Sequence, residues 1–202
     1  MEASKIANLR TLTDEDVMEQ LQTGVTQAFD IIVQRYKDRL HNFLYRYTHN
    51  HQDCEDLVQE TFLRVYRSRH SYERIAKLST WMYTIALNLA KSMYKKKQRM
   101  TKISMHADPN DSESREFEIE DSVILQDDQL HQKMSVAELE KALLKLNDDF
   151  REVIVLRDIQ QLSYEEIAEI TDTAMGTVKS RINRARQQLQ ELIGDYVKSE
   201  TF

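Results

Sequence analysis

The chain has only 3 glycines and 1 proline in 202 residues. Strand-rich folds need both residue types for their turns, so this scarcity excludes a strand-and-turn architecture and points to helices. Cysteine is almost missing as well. Cys54 stands alone, which rules out a disulfide within the chain and suits a reducing compartment. No apolar run approaches 18 residues, and Met1-Glu-Ala-Ser-Lys5 lacks the apolar stretch of a signal peptide. A soluble, cytoplasmic protein without direct membrane association is expected. The three glycines are scattered, so no loop can cradle a phosphate, and no Ser-His-Asp or Cys-His pattern has a supporting context. His49, His51 and Cys54 lie close together but lack a fourth ligand for tetrahedral zinc. Neither a catalytic site nor a metal or other cofactor is expected.

A surplus of positive charge is also lacking: the formal net charge is -6. The charge is unevenly spread. Residues 1–99 carry 16 Lys and Arg against 12 Asp and Glu, residues 100–135 carry 3 against 9, and residues 136–202 carry 9 against 13. Phosphates respond to charges within a Debye length, roughly 8–10 Å, so local clusters matter more than the total. Lys91 to Lys102 holds six basic residues and no acid, and no acid falls between Thr173 and Leu189. The acidic remainder opposes indiscriminate DNA binding and implies a partner.

The second of these clusters lies in the most informative stretch, Leu162 to Arg186. Ser163 and Glu166 have capping-box spacing at the start of a short helix with Ile167, Ala168 and Ile170 on its apolar face. Thr171-Asp-Thr173 breaks the pattern. A second helix turns Val178 and Ile182 inward and shows Lys179, Arg181, Arg184 and Arg186 on its other side. A cap, a turn and a basic second helix suit a helix-turn-helix that enters a DNA major groove, although a surface hairpin with a solvated basic face shares the pattern.

Elsewhere the helical period places the remaining elements. Thr13-Asp-Glu-Asp16 caps a short helix ending near Gly24. Thr26 opens a long one with Phe29, Ile32, Val33, Tyr36, Leu40, Phe43, Leu44 and Tyr47 on one face. Asp53 or a neighbour starts a third helix, with Leu57, Val58, Thr61, Phe62 and Val65 inward. Ser68 to Leu78 reads as a loop, and Ser79 or Thr80 caps a fourth helix with Trp81, Ile85 and Leu89 on one face. Residues 100–135 contain Pro109 and read as a flexible acidic linker. Periodicity returns at Leu139, Leu143 and Leu146. The expected fold is all-α: helical domains over 1–99 and 136–202, joined by the linker.

Two blocks now stand in order. Asp53-Cys-Glu-Asp-Leu-Val-Gln-Glu-Thr-Phe-Leu-Arg-Val-Tyr66 is followed by Ser79-Thr-Trp-Met-Tyr-Thr-Ile-Ala-Leu-Asn88. Leu146-Asn-Asp-Asp-Phe-Arg-Glu-Val-Ile-Val-Leu-Arg157 is followed by Leu162-Ser-Tyr-Glu-Glu-Ile-Ala168 and Gly176-Thr-Val-Lys-Ser-Arg181. Together they resemble the bacterial sigma-70 family, and within it the small extracytoplasmic-function (group IV) sigma factors. The resemblance covers nearly all of the chain except the linker.

The resemblance implies a promoter-specificity subunit for core RNA polymerase that recognises −35 and −10 elements and assists DNA melting. The first domain would be region 2. Asp56, Leu57, Gln59, Glu60 and Phe62 would meet the polymerase clamp. Tyr72, Trp81, Tyr83, Asn88 and Lys91 would hold the single-stranded −10 element by stacking, base-edge contacts and charge. The second domain would be region 4, bound near the polymerase flap and reading duplex −35 DNA. There Lys179, Ser180, Asn183 and Arg184 would enter the major groove, with Arg157, Thr177, Arg181 and Arg186 near phosphates or the groove edge. Trp81 also lies on its helix's apolar face, so core packing competes with base stacking. An anti-sigma factor, often membrane-bound in the family, is implied as a further partner. The turn departs from the family pattern: Thr171-Asp172-Thr173 stands where Leu-Gly and Val or Ile are frequent, so Asp172 is expected in a left-handed conformation that glycine would adopt more easily. The rival reading, a stand-alone helix-turn-helix regulator, has no need of the Asp56–Phe62 block or the Lys91–Lys102 run.

Overall fold

The computed structural model describes residues 9–105 and 138–199. No strand occurs among them. The Thr13 side chain accepts from the Asp16 N–H and caps α1 (Asp14–Gln22), which buries Val17, Met18 and Leu21. Gly24, at φ +98, turns the chain into α2 (Gln27–Thr48). The buried stripe of α2 includes Ile32, Tyr36, Leu40, Phe43, Leu44 and Tyr47, as its period predicts. Ile31 is buried with them, while Phe29 and Val33 pack along the edge.

The boundaries of the next two helices differ from expectation, for identifiable reasons. Asn50, not Asp53, caps α3 (His51–Arg67): its side chain accepts from the Asp53 N–H at 2.8 Å. Between α3 and the next helix lies a single 3₁₀ turn, Arg69–Ser71. The following helix, α4 (Leu78–Met105), is not capped by Ser79 or Thr80. The carboxylate of Glu15, on α1, accepts from the Leu78 N–H at 3.0 Å. A first-turn N–H is thus satisfied from far along the chain, which local spacing cannot reveal. Helix α4 also continues to Met105, past the point where a linker from residue 100 was expected. The rest of that segment, and its acidic run, lie outside the described residues.

The second unit opens with α5 over 138–145. Arg151, only 8% exposed, donates to the carbonyl oxygens of Leu143, Leu144 and Leu146 and so satisfies the orphan acceptors where α5 ends. Asn147 caps α6 (Asp148–Ile154), which runs on into a π turn, Val155–Ile159. Then come α7 (Tyr164–Thr171) and α8 (Met175–Ser199).

The two units pack directly on one another. Helix α4 lies against α7, and α2 meets α6 and the π turn. One apolar core runs through both units, from Val17 and Leu40 to Leu156 and Ile182.

Candidate nucleic-acid and polymerase interfaces

The helix-turn-helix forms as its residues imply. Both arms of the capping box are made: the Ser163 Oγ accepts from the Glu166 N–H, and the Glu166 carboxylate accepts from the Ser163 N–H at 2.7 Å. Burial acts to raise the Glu166 carboxyl, but the Ser163 N–H and Lys77 together hold it below its ordinary value. Asp172 ends α7 at φ 49, ψ 48, the left-handed conformation expected there. Thr171, half-buried, donates its hydroxyl back to the Ile167 carbonyl at 2.8 Å.

Helix α8 is cleanly two-sided. Val178, Ile182 and Ala185 are fully buried against the rest of the unit. Thr177, Lys179, Ser180, Asn183 and Arg184 are exposed together. Lys179 lies 5.7 Å from the centre of the Tyr164 ring, within cation–π reach. The other cations offered by the sequence are committed within the chain. Arg181 pairs with Asp149 at 2.6 Å, and Arg186 pairs with Asp158. Arg157 donates to the Leu162 carbonyl at 2.6 Å and lies over the Tyr164 ring at 4.7 Å, which braces the entry to α7.

The five residues expected at a single strand do not share one surface. Tyr72 is buried, donates to the Ala76 carbonyl at 2.8 Å, and packs its ring 5.3 Å from that of Trp81. Trp81 is half-buried, so part of it supports the core, while Asn88 is exposed seven residues on, along the same side of α4. Tyr83 and Lys91 instead face the second unit. Tyr83 is fully buried, and its hydroxyl donates to the Gln160 side chain at 2.6 Å. Burial pushes the phenols of Tyr72 and Tyr83 up to about 12, so both stay neutral donors. Neither ring has a free face for stacking in this arrangement, which corrects the expectation of exposed aromatics. Lys91 reaches both oxygens of Glu152, at 2.9 and 3.2 Å. Glu152 is 1% exposed, and its burial raises the carboxyl pKa against the pull of Lys91.

On α3, Asp56 and Gln59 are exposed, and Glu60 is half-exposed beside Arg64 at 3.0 Å. Leu57 and Phe62 are 5% and 8% exposed and fill the core beneath, so they are corrected from contact residues to the support of that face. Leu63, 47% exposed on α3, lies off the inward stripe, and Ile75 is 89% exposed on the loop before α4. Cys54 is buried and donates its thiol to the His41 carbonyl at 3.4 Å. Among the described residues, no group of three or more His, Cys, Asp or Glu side chains could hold a metal ion. Nor is any helix among them long and apolar enough to cross a membrane.

Comparison with known proteins agrees with this layout. Residues 32–100 match the family model of sigma-70 region 2, and residues 137–189 match that of sigma-70 region 4. The extracytoplasmic-function sigma-E factor of Haemophilus influenzae is 35% identical over 191 residues, covering 90% of this chain and 96% of that protein. The factor SigW of Bacillus subtilis is 34% identical over 178 residues, covering 88% and 95%. Among solved structures, the sigma factor RpoE of Bartonella quintana, in complex with the anti-sigma factor NepR, superposes with a TM-score of 0.64. It shares 31% identity over 82% of this chain and 96% of that one. The chain belongs to the sigma-70 family, as an extracytoplasmic-function sigma factor.

Proposed function

We propose that this chain binds core RNA polymerase in the cytoplasm and directs it to promoters carrying a −35 and a −10 element. The chemistry of RNA synthesis stays with the polymerase. The observation that carries this reading is the division of α8. Three fully buried side chains fix the helix, and Lys179, Ser180, Asn183 and Arg184 form a polar, cationic strip behind a completed capping box. Arg and Lys bond guanine edges or phosphates, and Asn pairs with adenine, so such a strip can read a duplex groove. Thr177, Arg181 and Arg186 flank it, and Arg157 acts from beneath by holding the turn into α7.

For the −10 strand, exposed Asn88 and the cations from Lys91 onward supply base-edge and backbone contacts, with Trp81 at their side. The polymerase clamp meets the outer face of α3, where Asp56, Gln59 and Glu60 stand on a floor of Leu57 and Phe62. The Bartonella quintana relative is seen with an anti-sigma factor. By analogy, an anti-sigma partner restrains this chain by covering its polymerase-binding surfaces.

Gel-shift measurements on a promoter duplex at one fixed salt test the reading. The free chain should bind weakly and the polymerase complex tightly. Equal affinity with and without core polymerase would support a stand-alone regulator instead.

A further inference from the structure

We propose that α1 positions the −10 reading surface: Gln22, Asp16 and Glu15 fix the loop between α3 and α4, and through it Trp81, for contact with the unpaired strand. The proposal rests on the promoter-recognition reading above. The match to region 2 begins at residue 32, so α1 lies ahead of it.

The loop has little turn chemistry of its own. Residues 68–77 contain neither glycine nor proline, the residues that most often set a turn. Local bonds shape its two halves: Arg69 donates to the Tyr66 carbonyl and the Tyr72 hydroxyl to the Ala76 carbonyl, both at 2.8 Å. Three further ties come from α1. The Gln22 Nε2 donates to two loop carbonyls at once, that of Arg69 at 2.7 Å and that of Tyr72 at 2.9 Å. Asp16 pairs with Arg74 at 2.7 Å. Glu15 accepts from the Leu78 N–H, where the loop becomes α4. These partners lie 47 to 63 residues apart in the chain.

The ties converge on Trp81. Gln22 holds the Tyr72 carbonyl, and the Tyr72 ring packs 5.3 Å from that of Trp81. Glu15 sets the first turn of α4, just ahead of Trp81. Tyr72 is buried and has no face to offer a base, so it serves as a support. Trp81 is half-buried and keeps part of its ring at the surface. The same loop turns His70, Glu73 and Ile75 outward, Ile75 at 89% exposure.

A fixed backbone with outward side chains suits recognition of a flexible strand. Ordering a loop during binding costs conformational entropy, and a loop ordered beforehand avoids that cost. Gln22 and Glu15 act through the loop and Trp81, so they are positioning residues.

Two variants separate positioning from stability. Gln22→Glu keeps the size of the side chain but turns a double donor into an acceptor facing two carbonyl oxygens. Glu15→Ala removes the partner of the Leu78 N–H, and Glu15→Gln restores an acceptor. Trp81 is the only tryptophan in the sequence, so its fluorescence in the free chain reports on this joint without DNA. Gln22→Glu and Glu15→Ala should shift its emission to the red and strengthen quenching by acrylamide, while Glu15→Gln stays near the wild type. In complex with core polymerase, binding is then measured to a fluorescent single strand carrying the −10 element of a promoter mapped for this chain, and to strands with one base changed. Gln22→Glu and Glu15→Ala should lower the preference for the cognate strand by about fivefold or more, and Glu15→Gln should restore it. Assembly with core polymerase should not change.

A lower melting temperature with unchanged strand preference would make these residues structural only and overturn the proposal. So would Trp81 emission that neither variant moves, or a preference lost only together with polymerase assembly. A wild-type complex without any base preference would contradict the promoter reading and the loop's part in it. Trp81 emission would still decide whether α1 holds the loop.

Discussion

Asp172 takes on a backbone conformation that most L-residues avoid, at φ 49 and ψ 48. The left-handed region costs an ordinary L-residue about 1–2 kcal/mol, and Asp escapes only part of that. Asp172→Gly should therefore raise the melting temperature of the chain by a few degrees, equivalent to roughly 1 kcal/mol. Differential scanning calorimetry measures it, and a lower melting temperature would mean that the carboxylate supports the turn. This conformation was legible because the turn sits at a fixed offset within the motif. His49 is also left-handed, at φ 48, and went unforeseen because nothing in His-x-His spacing signals a helix end. Burial, with Arg151 nearby, lowers its imidazole pKa to about 4. The unfolded chain then binds more protons than the folded one between pH 4 and the ordinary histidine value near 6.5. Stability from this group is complete above that value and falls as pH drops toward 4, by roughly 1–2 kcal/mol after allowing for solvent screening. His49→Asn keeps a residue that tolerates the left-handed region and does not titrate. Urea midpoints between pH 7 and 4.5 should fall less steeply in this variant, and equal slopes would assign the acid sensitivity elsewhere.

At the scale of elements, α3 and α8 each pair a buried stripe with a working face. Replacing Asp56 or Glu60 by Lys should weaken assembly with core polymerase while leaving the helix intact, because both project outward and the Glu60–Arg64 pair is an exposed one of small worth. Co-purification with core polymerase decides this; full retention with unchanged helicity would move the contact to another surface. On α8, Lys179→Ala and Arg184→Ala should each cost about 1–3 kcal/mol of −35 recognition if they reach base edges. If they touch only phosphate, the loss should be the same for all sequences and the salt slope should fall by about one unit. Unchanged transcription from both variants would remove the strip from the account. The stripes themselves were readable in sequence, since Val178 with Ile182 and Leu57 with Thr61 follow the helical period. The ends were less so. Helix α4 takes its first-turn partner from Glu15, and α5 ends on the guanidinium of Arg151. Both are tertiary solutions to a local need, and they leave no trace in nearby residues.

For the whole molecule, sequence reading supplies two helical units and their order, but not their mutual packing. Tyr83 and Lys91 look like surface groups for DNA when only their own helix is considered. Their partners Gln160 and Glu152 lie 77 and 61 residues away. The net charge of -6 is consistent with a chain that reads DNA only within a larger assembly. Whether the chain directs core polymerase to promoters is read most directly by transcription in vitro with purified core polymerase on genomic DNA, with RNA 5′ ends mapped with and without the chain. The set of start sites should depend on the chain, share two spaced upstream elements, and be lost with the Lys179→Ala, Arg184→Ala double variant. Identical start sites with and without the chain, from a core polymerase shown to be active, would contradict it.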